Sequence, residues 1–340
     1  MKAIRVEAYG GPETLRLRHL ELPDPGPGEV HVKLRAAGLN FVDIYLRRGE
    51  LRAAGPNFVD VDLRHGEHAS SLPFTPGYDG AGIIEAVGDG VKDFKPGDRV
   101  AYTGHLGTYA EASVVPARTL IPLPIDLSFE QGAAFPLQGM AAHYLIHEYR
   151  VPTPGDTVLI HAAAGGLGLL LVQWAKHLGA RVIGTVSTAE KAQAARASGA
   201  DDVILFTRQD VVAETKRLTD GLGADLIING VGQATFTGNL EAVARRGHVV
   251  IHGFANGLPH PIQPISLIWR AISISGGTLP SYTHTREELI RRASDVLKGI
   301  REGWLRLHID QVFPLAEAAE AQRRLATRES TGKIILKTTA

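Results

Sequence analysis

The chain has 340 residues, 44% of them apolar, with 36 Lys+Arg against 36 Asp+Glu and no cysteine. That length accommodates two ordinary domains with sizeable cores, and the neutral balance argues against nucleic acid or an anionic membrane as the main partner. The lack of cysteine excludes disulfides, thiolate catalysis, Cys-ligated zinc and iron–sulfur clusters.

The N-terminus, Met1–Val6, alternates in polarity and lacks the apolar run of a secretory leader. The longest strongly apolar stretch, around Gly165–Trp174, is too short for a bilayer, so a soluble cytoplasmic chain is expected. The first part reads as β-rich: Val30–Leu34 and Gly82–Val87 are strand-like, and Pro/Gly turns at Asp24–Gly28 and Lys95–Asp98 separate such runs. Within it lies a tandem duplication. Residues 34–50 are followed at once by 51–67, two 17-residue blocks that differ at four positions, among them Leu39 against Pro56 and Tyr45 against Asp62. Two copies are too few to stack into a solenoid.

From Ser128 the texture changes. Ser128–Gln131 reads as a helix N-cap with an acidic first turn. Apolar strands then alternate with amphipathic helices: Thr157–His161, helix Leu167–Leu178, Arg181–Val186, helix Ala189–Ala197, Asp202–Leu205, helix Val211–Leu218, Leu226–Asn229, helix Thr235–Val243, His248–His252. This rhythm predicts an α/β unit, a parallel sheet with helices on both faces. After Pro264 the pattern is mixed and ends in strand-like Lys333–Lys337, which is expected to return to the first domain. The expected divisions are 1–125, 126–265 and 266–340.

Strand Val158–His161 runs into Ala162–Gly168 and then a helix. Gly165 lets the backbone approach a pyrophosphate, Gly168 lets helix and strand pack closely, and the helix N-terminus offers free N–H groups and partial positive charge. Ala163 stands in place of the first glycine of this fingerprint. A bare glycine motif is weak; here a strand precedes it and a helix follows. The next strand, Arg181–Val186, ends without the acidic residue that an NAD site places for the ribose 2′-hydroxyl. Thr185, Ser187, Thr188 and Lys191 suit a 2′-phosphate, so NADP(H) is expected, although Glu190 tempers the positive field. His65 and His68, and the i,i+4 pair His143 and His147, lack the partners of a zinc site, and no metal is expected. Thr331-Gly332-Lys333 resembles the end of a phosphate-binding loop, but Thr327 replaces the upstream glycine and a strand follows.

Taken together, Met1–Ile4 with Gly10–Glu13, Ala36–Asp43, Pro76–Gly82, Pro96–Val100, His161–Gly168, Gly184–Val186 and Thr331–Lys333 resemble the zinc-free quinone oxidoreductase (zeta-crystallin-like) branch of the medium-chain dehydrogenase/reductase superfamily, over nearly the whole chain. The resemblance implies a Rossmann doubly wound parallel sheet plus a β-rich GroES-like catalytic domain, with NADPH in the interdomain cleft. It implies homodimers joined through a strand at Ile272–Leu279 and zinc-independent hydride transfer to a quinone. Asn40 and Asp43 are then expected beside the nicotinamide and Tyr45 in the substrate pocket. Gly165, Gly166, Leu167 and Gly168 are expected at the pyrophosphate, Ser187 and Lys191 at the 2′-phosphate, Gly253 and Phe254 on the nicotinamide side, and Arg328 reaching toward the cofactor. Asn40 stands in the region where zinc-containing relatives hold a metal-binding cysteine, and Tyr78-Asp79 where they hold His-Glu. Two departures are Phe206, in place of a tyrosine near the 2′-phosphate with Arg208 compensating, and Ala141, in place of a threonine.

The chemistry asks the protein to orient two rings and exclude water. Tyr45 or Asn40 is a candidate donor to the developing oxyanion. Two alternatives stand beside this reading: an NADPH-dependent enone, alkenal or enoyl-thioester double-bond reductase, and a non-catalytic NADPH-binding structural protein. The first duplicate block continues directly from strand Glu29–Leu34 and keeps Tyr45. Asn40, Asp43 and Tyr45 are therefore expected to line the cleft, with Glu50–Glu67 bulging outward; the competing register puts Asn57 and Asp60 there.

Overall fold

The chain divides into two compact units: Met1–Leu137 with Thr283–Ala293 and Ile309–Ala340, and Gln138–Tyr282 with Ser294–His308. The computed structural model describes residues 1–49 and 72–338.

In the first unit β1 (Lys2–Val6) pairs antiparallel with β2 (Leu15–His19). The main sheet is organised by β3 (Glu29–Gly38), whose alternate residues Val30, Val32 and Leu34 are fully buried. Residues 41–48 form helix α1 (Phe41–Arg48) directly after β3. Asn40 is its N-cap, Asp43 accepts the Asn40 N–H, and Gly49 closes it in the left-handed region at φ 72°. β3 pairs antiparallel with β4 (Asp79–Val87), which continues to β5 (Arg99–Tyr102). β6 (Ala112–Pro116) also pairs with β3, and β7 (Leu120–Pro122) with β5. Register shifts at His31/Val32 and Leu34/Ala36 bend β3. The core gathers Val30, Val32, Leu34, Ile84, Val100, Tyr102, Val115 and Leu120. Helix α2 (Phe129–Ala134) starts where expected: Ser128 Oγ accepts the Gln131 N–H at 3.2 Å and Gln131 Oε1 accepts the Ser128 N–H at 2.9 Å.

After α3 (Pro136–His147) the second unit runs β8 (Thr157–Ile160), α4 (Gly166–His177), β9 (Arg181–Val186), α5 (Ala189–Ala197), β10 (Asp202–Leu205), α6 (Val211–Leu218), β11 (Ala224–Asn229), α7 (Gln233–Ala242), β12 (Val243–Ile251) and β13 (Ser273–Gly276). All pairs are parallel, in the order β10-β9-β8-β11-β12-β13. Counted from the unit's first strand, this is the 3-2-1-4-5-6 order of dinucleotide-binding sheets, with a switch point between β8 and β11. Leu159, Ile183, Ile227 and Val249 centre the core. The strand expected over Ile272–Leu279 stops at Gly276, and Leu279 opens the short α8 (Leu279–Tyr282). The mixed tail contains a helix the pattern did not suggest, α9 (Arg286–Arg301). β14 (Ile309–Pro314), α10 (Ala318–Ala326) and β15 (Lys333–Lys337) follow. β14 pairs parallel with β15, and β15 pairs antiparallel with β3, setting Ile335 opposite Gly38.

Candidate functional site

In the first unit, the junction of β3 and α1 holds a buried polar cluster. Asn40 Nδ2 donates to Asp79 Oδ2 at 2.9 Å, and Asn40 Oδ1 accepts from Lys333 Nζ at 2.7 Å. Lys333 Nζ also donates to Asp79 Oδ2 at 2.7 Å, with the two side chains 2% and 0% exposed. The second Asp79 oxygen accepts the Leu137 N–H at 3.1 Å. Gly38 makes the approach possible, since a Cβ there would lie 2.6 Å from Lys333 Cε and 2.2 Å from the Ala133 carbonyl oxygen.

In the first turn of α1, Asp43 Oδ2 accepts the Asn40 N–H at 2.9 Å and the Tyr109 hydroxyl at 3.1 Å, while Oδ1 is buried with no hydrogen-bond partner. Burial pushes the Asp43 carboxyl up to about 7, against the lowering influence of the Asn40 N–H and the Lys333 charge. Burial and the adjacent Asp43 hold the Tyr109 phenol well above its ordinary value, so it stays a donor. Asn40 and Asp43, both expected at a nicotinamide, are thus 4% and 0% exposed and turned into protein. The Asn40 amide already answers to Lys333, Asp79 and, at 3.4 Å, the Gly38 carbonyl. That leaves Tyr45, half-buried on the same helix with its ring 6.4 Å from that of Phe41, as the candidate donor to an oxyanion.

In the second unit β8 delivers His161 and a sharp turn. Ala162 adopts φ 51°, unusual for a residue with a Cβ, and its carbonyl accepts the Gly165 N–H at 2.9 Å. A Cβ on Gly168 would lie 2.2 Å from that same carbonyl oxygen, so only glycine fits. Gly165 is the N-cap of α4, and Gly165, Gly166 and Leu167 are partly exposed. A Cβ on Gly166 would lie 2.2 Å from Gln138 Oε1, placing that amide against the turn. First-turn N–H groups of a helix have no intrahelical acceptor, so this bare-backbone cradle fits a pyrophosphate.

Ser187 and Phe206 each follow directly on a strand end at one end of the sheet, because Val186 at the end of β9 is opposite Leu205 at the end of β10; Lys191 lies in the first turn of α5 and Arg208 in the turn after β10. Thr207 Oγ1 donates to the Ser187 carbonyl at 3.1 Å, and Thr188 Oγ1 caps α5 by accepting the Lys191 N–H at 3.3 Å. Phe206 is 48% exposed, and Arg208 is exposed beside it. Thr185 departs from its expected place: it is 2% exposed and its hydroxyl meets His161 Nδ1 at 3.0 Å, bracing the turn from beneath. His161 Nε2 lies 2.7 Å from Asn239 Oδ1. Burial lowers the His161 pKa, so the ring is neutral, donates from Nε2 to the amide oxygen and accepts the Thr185 hydroxyl at Nδ1. Gly253 and Phe254 follow β12, after His252, whose pKa burial pushes down to about 4. Arg328 lies in the first unit between α10 and β15, exposed, at φ 59°.

The sequence reading gives Asp79 and Lys333 no partner and does not single out Gln138, His161 or Asn239 as site residues. The one local hint was Gly38, a glycine at the end of a strand, which marks a close approach. Asn57, Asp60, Asp62 and the expected bulge at Glu50–Glu67 lie outside the described residues. Among the described residues, no group of three His, Asp or Glu side chains is placed to hold a metal ion.

Residues 26–125 match the alcohol dehydrogenase GroES-like domain family, and residues 166–295 the zinc-binding dehydrogenase family. The chain is 42% identical over 340 residues to a quinone oxidoreductase of Pseudomonas aeruginosa, covering 98% of this chain and 99% of the relative. It is 35% identical over 336 residues to a 2-haloacrylate reductase of a Burkholderia species, covering 97% of each. The crystal structure of Escherichia coli quinone oxidoreductase complexed with NADPH superposes with a TM-score of 0.91 at 35% identity, covering 99% of this chain and 100% of that one.

Proposed function

We propose, since this chain belongs to the quinone oxidoreductase branch of the medium-chain dehydrogenase/reductase superfamily, that it is an NADPH-dependent quinone reductase. The observation that carries the cofactor choice is the end of β9, where Ser187, Thr188 and Lys191 stand in place of an acidic residue, with Arg208 in the turn after β10. NADPH, when bound, supplies the hydride. The turn Gly165–Gly168 holds the pyrophosphate through backbone N–H groups; Ser187, Lys191 and Arg208 hold the 2′-phosphate, and Phe206 offers a flat apolar face beside it. Gly253 and Phe254 border the nicotinamide side. Tyr45 donates to the quinone oxygen as negative charge develops there, while Asn40 and Asp43 hold the helix that carries it. A reduced quinone oxygen is a stabilised phenolate, so orientation and exclusion of water suffice.

We further propose that it works in the cytoplasm as a homodimer. Among the described residues β13 has a strand on one side only, and the segment leading into it exposes Ile268 (63%) and Trp269 (78%), which supports edge-to-edge pairing. The 2-haloacrylate reductase similarity favours a second reading, reduction of an electron-poor carbon–carbon double bond by the same hydride. NADPH oxidation against a quinone panel and an enone and haloacrylate panel separates them. Faster turnover of quinones, reduced at least several-fold by Tyr45→Phe with NADPH affinity unchanged, is expected; turnover of the double-bond panel alone sinks the quinone assignment.

A further inference from the structure

We propose that Lys333 is a positioning residue for the reduction: its ammonium, held between Asp79 and Asn40, fixes the orientation of the Asn40 amide and thereby the start of the helix that carries Tyr45. The proposal rests on the reading of Tyr45 as part of the quinone site.

An amide has two unlike ends, one that only accepts and one that only donates. Lys333 Nζ faces Asn40 Oδ1 at 2.7 Å, and Asp79 Oδ2 faces Asn40 Nδ2 at 2.9 Å. A flipped amide would set its NH2 against an ammonium and its oxygen against a carboxylate, so the ion pair admits one orientation. The lysine and aspartate close the third side at 2.7 Å, and their charges balance inside a region where both side chains are almost wholly buried. The register of β15 on β3 delivers Lys333, and Gly38 clears space for its stem. From the fixed Asn40, the backbone N–H bonds Asp43 at 2.9 Å and starts α1. Neither Lys333 nor Asp79 is exposed enough to meet a substrate; Lys333 acts on the site through Asn40, and Asp79 through Asn40 and the Leu137 N–H.

Lys333→Met alone strands a buried carboxylate and is expected to lower the melting temperature. The double variant Lys333→Met with Asp79→Asn removes both charges, so stability returns while the amide loses its lock. In that variant kcat for the acceptor is expected to fall about tenfold to a hundredfold with NADPH affinity unchanged, the scale of a misplaced reacting group. A double variant that melts like the unsubstituted protein and keeps its kcat and acceptor KM overturns the proposal. A measurement without substitution decides independently of folding: the Asn40 side-chain amide protons, followed by NMR, should be protected from solvent exchange, and exchange at the free-amide rate also overturns it. Rates are compared with whichever acceptor the unsubstituted protein reduces. A protein that reduces haloacrylate but no quinone therefore refutes the substrate reading and leaves the Lys333 comparison intact.

Discussion

Replacing Asp43 with Asn removes a carboxyl that the folded protein ionises only near neutrality, at about 7 against an ordinary 3.8, chiefly because it is buried. Between those two values the folded chain keeps a proton that the unfolded chain has released. Stability from this group is therefore complete below the unfolded pKa and is lost as pH rises to about 7, where the loss levels off. A gap of roughly three pKa units corresponds to about 4 kcal/mol, at about 1.4 kcal/mol per unit. Asn has the same shape and no charge. Its oxygen accepts the Asn40 N–H and the Tyr109 hydroxyl as Asp43 Oδ2 does, and its NH2 falls where Oδ1 already lacks a partner. Urea unfolding at a series of pH values from about 4 to about 8, read as the difference between Asp43→Asn and the unsubstituted protein, is the assay. The difference should swing toward the variant by up to about 4 kcal/mol, with most of the change below pH 7. A difference that stays flat across this window refutes the assignment of a protonated, buried Asp43.

Lys191→Ala should weaken NADPH binding about tenfold and leave NADH within about twofold, as one charge-assisted contact is lost, which fluorescence titration of both cofactors checks. Gly168→Ala drives a Cβ to 2.2 Å from the Ala162 carbonyl oxygen and should cost about 1–3 kcal/mol and most NADPH affinity, measured by thermal melting and the same titration. Treatment with chelator should leave the reduction rate unchanged; zinc found at one per subunit by metal analysis would contradict this.

The second unit was legible where its signals are local. α5 and α6 announce themselves with Thr188 and Asp210 as side-chain caps, and β9, α5, β10 and α6 lie at the residues their patterns predict. α1 was not recognised because eight residues are too few to establish a helical period, although Asn40, Asp43 and Gly49 form its punctuation. α9 was missed despite Glu287 and Glu288 in its first turn and Lys298 and Arg301 in its last, a charge order that suits the helix dipole. Thr185 was misplaced because β9 is buried on both faces, and such a strand carries no alternation to tell inward from outward. The Lys333–Asp79 pair joins residues 254 positions apart, and no local pattern could announce it.

The ion pair of Lys333 and Asp79 seats a single asparagine amide, and that of Asn40 occupies it. The duplication copies Gly38 and Asn40 as Gly55 and Asn57, but the chain carries only one Lys333 and one Asp79. With Asn40 seated, these contacts tie 38, 40, 79 and 333 into one heritable unit. The second block holds Pro56 and Asp62 where the first holds Leu39 and Tyr45. At Asp79 and Lys333 no drift is open one step at a time, since losing either charge alone leaves its partner buried and uncompensated.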